Sequence, residues 1–555
     1  MKLDACEMKP VPSKPVFGNY YDVMRPGFID MATYRDKLAG CFMGKSIGGT
    51  AGAPLEWKRQ INDFTFYQQE LGGNPLPNDD LDIQLLWLVA LEERGINIDS
   101  RTLAEYWLTF VTPHWSEYGT AKINMRAGLL PPVSGTHQNE YKDSCGAYIR
   151  SEIWACIAPG APYIATKYAY EDAALDHGDG EGTYATVFIA ALESAAFVES
   201  DIGKLIDIAL GYIPADCVTA QAVRFVRESF LAGEDYVAVR DELLRRYRGC
   251  VSGACPEMSC RAEYDKGLFD GKLGFDVPTN LAIVIMGLQW GGDDFGRVMR
   301  VTINCGEDTD CTAATAGAVF GLIHGIGAIP EKWIAPIGNG IVTACLNLGE
   351  LGGYGAEIPA TVDELVNRVT CIGQIIGLSY VDGLEIANGE PSKKEIARPL
   401  ECQMPGVFTQ RAKGPVFSFD FFDIQLVYEG GPAIRNGEEK KVVLRVVNKY
   451  KATDTVDIRV WADDELTVAP SRSGRLLVKA SYFRGKTFRG CVEEAPFTFI
   501  CDYVNKPRYD GVFQLTVPGR CTNMTVPFTL TNGNFIHDDV DYYYTFTEED
   551  VQGIE

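Results

Sequence analysis

Residues 306–311 read Gly306-Glu307-Asp308-Thr309-Asp310-Cys311, and the chain then runs through an Ala/Gly-rich apolar segment to His324. A second stretch has the same form: Asn78-Asp79-Asp80-Leu81-Asp82, followed by the apolar run from Ile83 to Arg94. Each acidic group sits in a Gly-, Pro- or Asn-rich loop that opens a helix-like segment. Carboxylates at a helix start gain a little from the positive end of the helix dipole. That gain does not account for aspartates placed so tightly, because mutual repulsion raises their pKa values unless a cation neutralises them. Two such loops brought together would make an oxygen-rich cage suited to Mg²⁺ or Mn²⁺.

Working outward, Ile83, Leu86, Trp87 and Ala90 fall at helical spacing, and Gly95 follows as a stop. Tyr184 to Val198 and Cys311 to His324 are further helical runs. In the latter, Gly317 and Gly321 stand four apart, which lets another backbone approach closely. This pattern predicts one large all-α domain over residues 31–387. Residues 1–30 are Pro-rich and read as an extended arm. The character changes at Asn388-Gly389-Glu390-Pro391-Ser392-Lys393-Lys394, which opens a polar linker over 388–404. Beyond it, period-two alternation takes over. Val442, Leu444 and Val446 share a face, as do Val456, Ile458 and Val460, and Phe513, Leu515 and Val517. Met524, Val526, Phe528 and Leu530 repeat the pattern, and Asn436-Gly437 and Asn532-Gly533 give turn signals. The expectation is a multidomain chain, with the helical domain followed by an all-β sandwich over 405–555.

With 555 residues, 46% hydrophobic and 23% charged, the composition is that of a soluble globular protein of several domains. A net charge of -24 argues against nucleic acid or an anionic membrane as partner. Metal ions can still supply local positive charge for an anionic substrate. The N-terminus lacks the pattern of a signal peptide, and no segment approaches the ~20 apolar residues that span a bilayer. The sixteen cysteines are irregularly spaced. Cys250, Cys255 and Cys260 form the one regular set, but structural zinc uses closer pairs. Reduced thiols in a cytoplasmic protein are therefore expected.

The glycine-rich stretch from Gly44-Lys45-Ser46 through Gly52-Ala53-Pro54-Leu55-Glu56 invites a phosphate-loop reading, but the Gly-Lys-Ser ending is out of register. Read as a helix of small residues, it would pack tightly and end at Pro54, presenting Glu56 from a loop.

In this order the segments resemble the ADP-ribosylglycohydrolase family, all-α hydrolases related to the dinitrogenase-reductase-activating glycohydrolase. Gly48 to Glu56 matches the family's Gly-Asp-Ala-Leu-Gly-Ala-Pro-x-Glu, and Asn78-Asp79-Asp80 its Thr-Asp-Asp. Cys145-Gly146-Ala147-Tyr148-Ile149-Arg150 resembles its Asn-Gly-Ala-x-Met-Arg segment. His177, with the Ala-rich run from Tyr184 to Phe197, follows. Pro278-Thr279-Asn280 and residues 306–311 resemble its Pro-x-Asn and Gly-Gly-Asp-x-Asp-Thr. The resemblance implies two Mg²⁺ ions, with Mn²⁺ as the variant, and a metal-dependent hydrolase of an ADP-ribosyl or related ribosyl N- or O-glycosidic bond. It implies Asn78, Asp79, Asp80, Asp308, Asp310 and Cys311 at the metal positions. Glu56, Asp80 and Asp308 fall at catalytic positions, Glu56 close to the scissile bond.

Three departures stand out. Asn78 replaces a ligating threonine, though its amide oxygen can coordinate. Cys311 replaces a second ligating hydroxyl, and a thiol suits Mg²⁺ poorly; Thr312, a water, or a preference for Mn²⁺ would answer that. Gly49 stands where many relatives carry Asp. Asp82 reads as a dipole partner. Gly146, Tyr148, Arg150 and His177 are the expected substrate contacts. Tyr148 and Arg150 would stack on a base or pair with a diphosphate; Arg150 equally suits a buried carboxylate, and His177 a solvated or hydrogen-bonded loop position. His114, Trp115 and Ser134 to His137 would line the entrance. The expected partner is a small-molecule or ADP-ribosylated substrate. One alternative is a glycoside hydrolase acting on a different furanoside or nucleoside, and another is a non-catalytic, crystallin-like relative. Oligomeric state is not readable from these residues.

Overall fold

The computed structural model describes residues 27–56, 58–249, 276–347, 358–380, 383–390, 410–450, 452–480 and 491–534. Cys250, Cys255 and Cys260, most of the expected arm and most of the expected linker lie outside them. A helical unit ends at Pro415, and a β unit takes up at Val416.

Six helices of the first unit position the site: α1 (Met31–Gly52), α2 (Asp79–Arg94), α3 (Ser116–Arg126), α4 (Glu181–Ala196), α5 (Val277–Gly291) and α6 (Thr309–His324). Asp30 starts α1, its carboxylate accepting from the Thr33 amide at 3.0 Å. The central pairing is α1 on α6. Gly40, Gly44, Gly48 and Gly52 recur every fourth residue along one stripe of α1. A Cβ on each would come within 2.6, 2.1, 2.1 and 2.3 Å of the carbonyl oxygens of Gly321, Gly317, Ala313 and Thr309. The numbering falls on one helix as it rises on the other, so the pair is antiparallel. The end of α1 is thereby brought to the start of α6.

Helix α2 is buried all round from Asp80 to Leu91. Its Trp87 packs between Trp107 and Trp154, with ring centroids 6.1 and 6.4 Å away. The acidic first turns of α2 and α6 are thus carried into the interior by helices that are themselves core. Strand β1 (Phe28–Asp30), at the end of the expected arm, pairs in parallel with β2 (Glu385–Ala387).

The described strands of the second unit are β3 (Val416–Ser418), β4 (Phe422–Tyr428), β5 (Ala433–Ile434), β6 (Glu439–Asn448), β7 (Asp454–Ala462), β8 (Thr467–Ala469), β9 (Ser473–Val478), β10 (Cys491–Ile500), β11 (Arg508–Thr516) and β12 (Asn523–Asn532). They form two five-stranded sheets, ordered β3-β4-β6-β10-β8 and β5-β12-β11-β7-β9. The alternating residues named from the sequence on β6, β7, β11 and β12 are all buried. Phe497 and Phe499 of one sheet meet Phe513 and Phe528 of the other, at centroid separations of 4.9 to 6.2 Å. Two inner faces sharing one aromatic core make a sandwich.

Candidate active site

Three chain segments converge where α1 ends and α2 and α6 begin. After α1 the chain makes a short turn, Ala53–Leu55. The Glu56 amide donates to Ala53 O at 3.3 Å, leaving the Glu56 side chain half-buried at the rim. Asn78 starts α2, its Oδ1 accepting from the Asp80 amide at 2.7 Å. Before α6, Gly306 and Glu307 take φ values of 74° and 67°. That left-handed step is disfavoured for a side-chain-bearing residue, and Glu307 is held in it by ion pairing. Its buried carboxylate meets Arg248 and lies 3.5 Å from Arg59 Nε. The Asp308 amide donates to Asn280 Oδ1 of α5 at 3.2 Å, and Thr309 Oγ1 to Gly52 O at 2.8 Å. These bonds lock the third loop onto α5 and α1.

The result is two interlocking ligand groups. Asp80, Asp310 and Cys311 bring donor atoms within 4.8 Å of one another, and so do Glu56, Asp308 and Asp310. Asp310 belongs to both. Asp79 stands beside them, accepting from Tyr118 Oη of α3 at 3.1 Å. Asp80 is 1% exposed, yet neither of its carboxylate oxygens has a hydrogen-bond donor among the described residues, and Asp310 Oδ1 is in the same position. A buried carboxylate without donors is costly. Such a set fits a divalent cation, which would satisfy both orphaned groups at once.

Electrostatics follow from this crowding. Burial, with repulsion from Asp79 and Asp80, pushes Glu56 up to about 7. Burial, with Glu56 and Asp79, does the same to Asp310. Asp80 and Asp308 are driven by burial well above the usual carboxylate range, the nearby Lys45 ammonium notwithstanding in the case of Asp80.

Lys45 is the residue that the sequence reading missed. Its Nζ lies 4.0 Å from Asp80 Oδ1 and 2.6 Å from Glu152 Oε1, in a fully buried setting. Glu152 is also held by Gln84 Nε2 at 2.7 Å. A lysine paired in this way is not a phosphate ligand. The Gly-Lys-Ser string looks like a loop signal only because its glycines serve the α1–α6 contact.

Asp82 does more than pair with a dipole. Its Oδ2 accepts from the amides of Ala344 and Cys345 at 2.5 and 2.6 Å, fastening that segment beside the cage. Thr312, one of the alternatives for the altered ligand position, directs its hydroxyl to Thr309 O at 3.4 Å. At Gly49, a Cβ would lie 2.2 Å from Asn78 Nδ2, so the amide of Asn78 occupies the space that a side chain at 49 would need.

The expected substrate residues are deeper than their sequence context suggests. Arg150 is fully buried, donating to Asp172 Oδ1 at 2.9 Å and to both oxygens of Asp176 at 2.9 and 2.8 Å. It holds buried carboxylates, which is the second of its two sequence readings. His177 is also buried, and it is hydrogen-bonded as one of its sequence readings has it, with Nδ1 2.8 Å from Asp176 Oδ1 and Nε2 3.4 Å from Ser144 Oγ. Gly146 packs where a Cβ would strike Glu117 Oε1 at 2.0 Å, and its carbonyl accepts from Arg150 at 2.6 Å. Tyr148 is buried beside Cys145 and Cys311. Of the expected entrance residues, His114 and Trp115 are exposed, whereas Ser134 and Gly135 are buried.

An all-α scaffold that joins a half-buried glutamate to two acidic helix starts defines the class. The chain belongs to the ADP-ribosylglycohydrolase family, whose model matches residues 30–370. It is accordingly a hydrolase of the glycohydrolase type. It is 22% identical over 313 residues to an uncharacterized protein of Archaeoglobus fulgidus, covering 54% of this chain and 90% of the relative. A solved ADP-ribosylglycohydrolase-related protein complex is 20% identical, with a TM-score of 0.41, covering 62% of this chain and 99% of that one. A FixG-related protein from Vibrio parahaemolyticus is 14% identical, with a TM-score of 0.16, covering 21% of this chain. Among the described residues, no helix is long and apolar enough to cross a membrane.

Proposed function

We propose that this chain is a binuclear-metal hydrolase that cleaves an ADP-ribosyl or related ribosyl N- or O-glycosidic bond. The observation that carries the reading is Asp310 shared between two donor groups, beside an Asp80 whose oxygens lack protein donors. Asp79, Asp80, Asp308 and Asp310 would hold two divalent ions, Mg²⁺ in the family pattern, with Asn78 and Cys311 at the altered positions. Such ions, when bound, orient a diol and acidify a water. Glu56 is half-exposed at the rim, where burial favours its protonated form. As the acid it can deliver its proton to the leaving nitrogen or oxygen while the bond from that atom to the glycosidic carbon breaks. Water oxygen then bonds to that carbon, and its proton returns to the carboxylate. Lys45, itself paired with Glu152, lies 4.0 Å from Asp80 Oδ1, and Glu307, paired with Arg248 and Arg59, anchors the loop that carries Asp308.

A second reading keeps the cage but changes the sugar to another furanoside or a nucleoside. The Asn78 amide packed over Gly49 favours it, since that wall of the site differs from the family pattern.

The test is hydrolysis of N- and O-linked ADP-ribosyl model compounds, followed by release of ADP-ribose. Asp310→Asn is expected to lower metal affinity and turnover together. Glu56→Gln is expected to keep metal affinity and lower turnover by about 10²-fold or more. Full activity in Glu56→Gln would remove it from the chemistry.

A further inference from the structure

Three of the chain's buried cysteines gather around the carboxylates of the cage. Cys311 Sγ lies within 4.8 Å of donor oxygens of both Asp80 and Asp310. Cys145 reaches Asp308 from the turn before Tyr148. Cys345 belongs to the segment pinned by Asp82, near Asp79 and Asp80. The hydroxyls that flank Cys311 on α6 are committed elsewhere, Thr309 to Gly52 O and Thr312 to Thr309 O. Sulfur is therefore the atom that this turn of α6 presents to Asp80 and Asp310.

We infer that the ion held between Asp80 and Asp310 takes Cys311 Sγ as a ligand, so this half of the cage selects a thiophilic divalent cation of the Zn²⁺ or Co²⁺ class over Mg²⁺. The inference rests on the metal-cage reading above and concerns which ion fills it. Mg²⁺ demands oxygen ligands in near-octahedral geometry, and sulfur is a poor substitute. Two carboxylate oxygens and one thiolate, whose proton leaves to solvent as the ion binds, form a borderline-soft set with an open position, which suits tetrahedral zinc or cobalt.

The test uses the full chain, stripped of metal and titrated with Co²⁺ while heat and near-ultraviolet absorbance are recorded. Wild type and Cys145→Ser are expected to develop a sulfur-to-cobalt charge-transfer band on binding. Cys311→Ser is expected to bind Co²⁺ without that band, and its preference for Co²⁺ over Mg²⁺ should fall at least tenfold. Zinc X-ray absorption on the wild-type protein should show a Zn–S shell at about 2.3 Å, a readout that needs no variant to fold. Cobalt binding without the band, a band that survives in Cys311→Ser, or a zinc shell of oxygen and nitrogen alone would overturn the sulfur ligand and leave the cage standing. Failure of the folded wild type to bind any divalent ion would overturn the cage as well.

Discussion

Gly44 of α1 and Gly317 of α6 lie backbone against backbone: a Cβ on Gly44 would come within 2.1 Å of Gly317 O, and one on Gly317 within 2.3 Å of Gly44 O. This contact sets the distance between Glu56 at the end of one helix and Asp310 at the start of the other. Gly44→Ala is expected to destabilise the helical unit by about 1–3 kcal/mol through overpacking, and to weaken metal binding as the helices part. Chemical denaturation and metal titration would show both effects. Gly327→Ala, at a glycine with open space around it, is the control and should change neither.

Glu307 combines a left-handed backbone with a buried carboxylate between Arg59 and Arg248. Its removal takes a buried partner from two guanidinium groups. Glu307→Ala is expected to cost about 3–5 kcal/mol, the range for breaking a buried pair, and to lower metal affinity by freeing Asp308. Denaturation midpoints and metal calorimetry would test this. A variant with full stability would show that the pairing does not hold the loop.

Gly49 and Asn78 form a coupled pair. Gly49→Asp would displace the Asn78 side chain, whose oxygen caps the Asp80 amide. A loss of about 1 kcal/mol is expected from the lost cap. Combining it with Asn78→Thr, which restores both residues of the family pattern, should recover that loss. Additive losses in the double variant would contradict the coupling.

Glu117 is buried, and desolvation pushes its carboxyl from 4.5 up to about 7. The folded state therefore favours the protonated acid. That contribution is intact below about pH 4.5 and is lost as pH rises through 7. Glu117→Gln should flatten this slope and make the protein more stable than its parent at pH 8, by at most about 3 kcal/mol. Urea denaturation at pH 5 and pH 8 would reveal an unchanged slope if the residue ionises freely.

Much of this site could be read from the chain because its signals are local. Asn78-Asp79-Asp80 and Asp308-Thr309-Asp310 sit at helix starts, and period-two runs such as Met524 to Leu530 declare their buried face. Gly317 and Gly321 announced a close helix contact, but the partner, Gly44 and Gly40, lies far away in sequence, and nothing local names it. His177 stands beside acidic residues, and Arg150 suited either a substrate or a buried carboxylate. In the fold Asp176 turns inward and takes both side chains with it, and Asp172, 22 residues from Arg150, joins them. Lys45 was disguised in the same way, its glycine neighbours serving a helix contact. Which carboxylate a cation pairs with is decided by tertiary distance, and that is not written at any single position.

The central claim is that two acidic helix starts and Glu56 form one metal-dependent ribosyl site. Calorimetric titration with ADP-ribose, with divalent metal present and again after chelation, tests it most directly. Binding that requires metal and disappears in Asp310→Asn is the expected result. Binding that persists unchanged after chelation, or metal uptake with no ADP-ribose affinity, would contradict it, and the latter would point to a different furanoside.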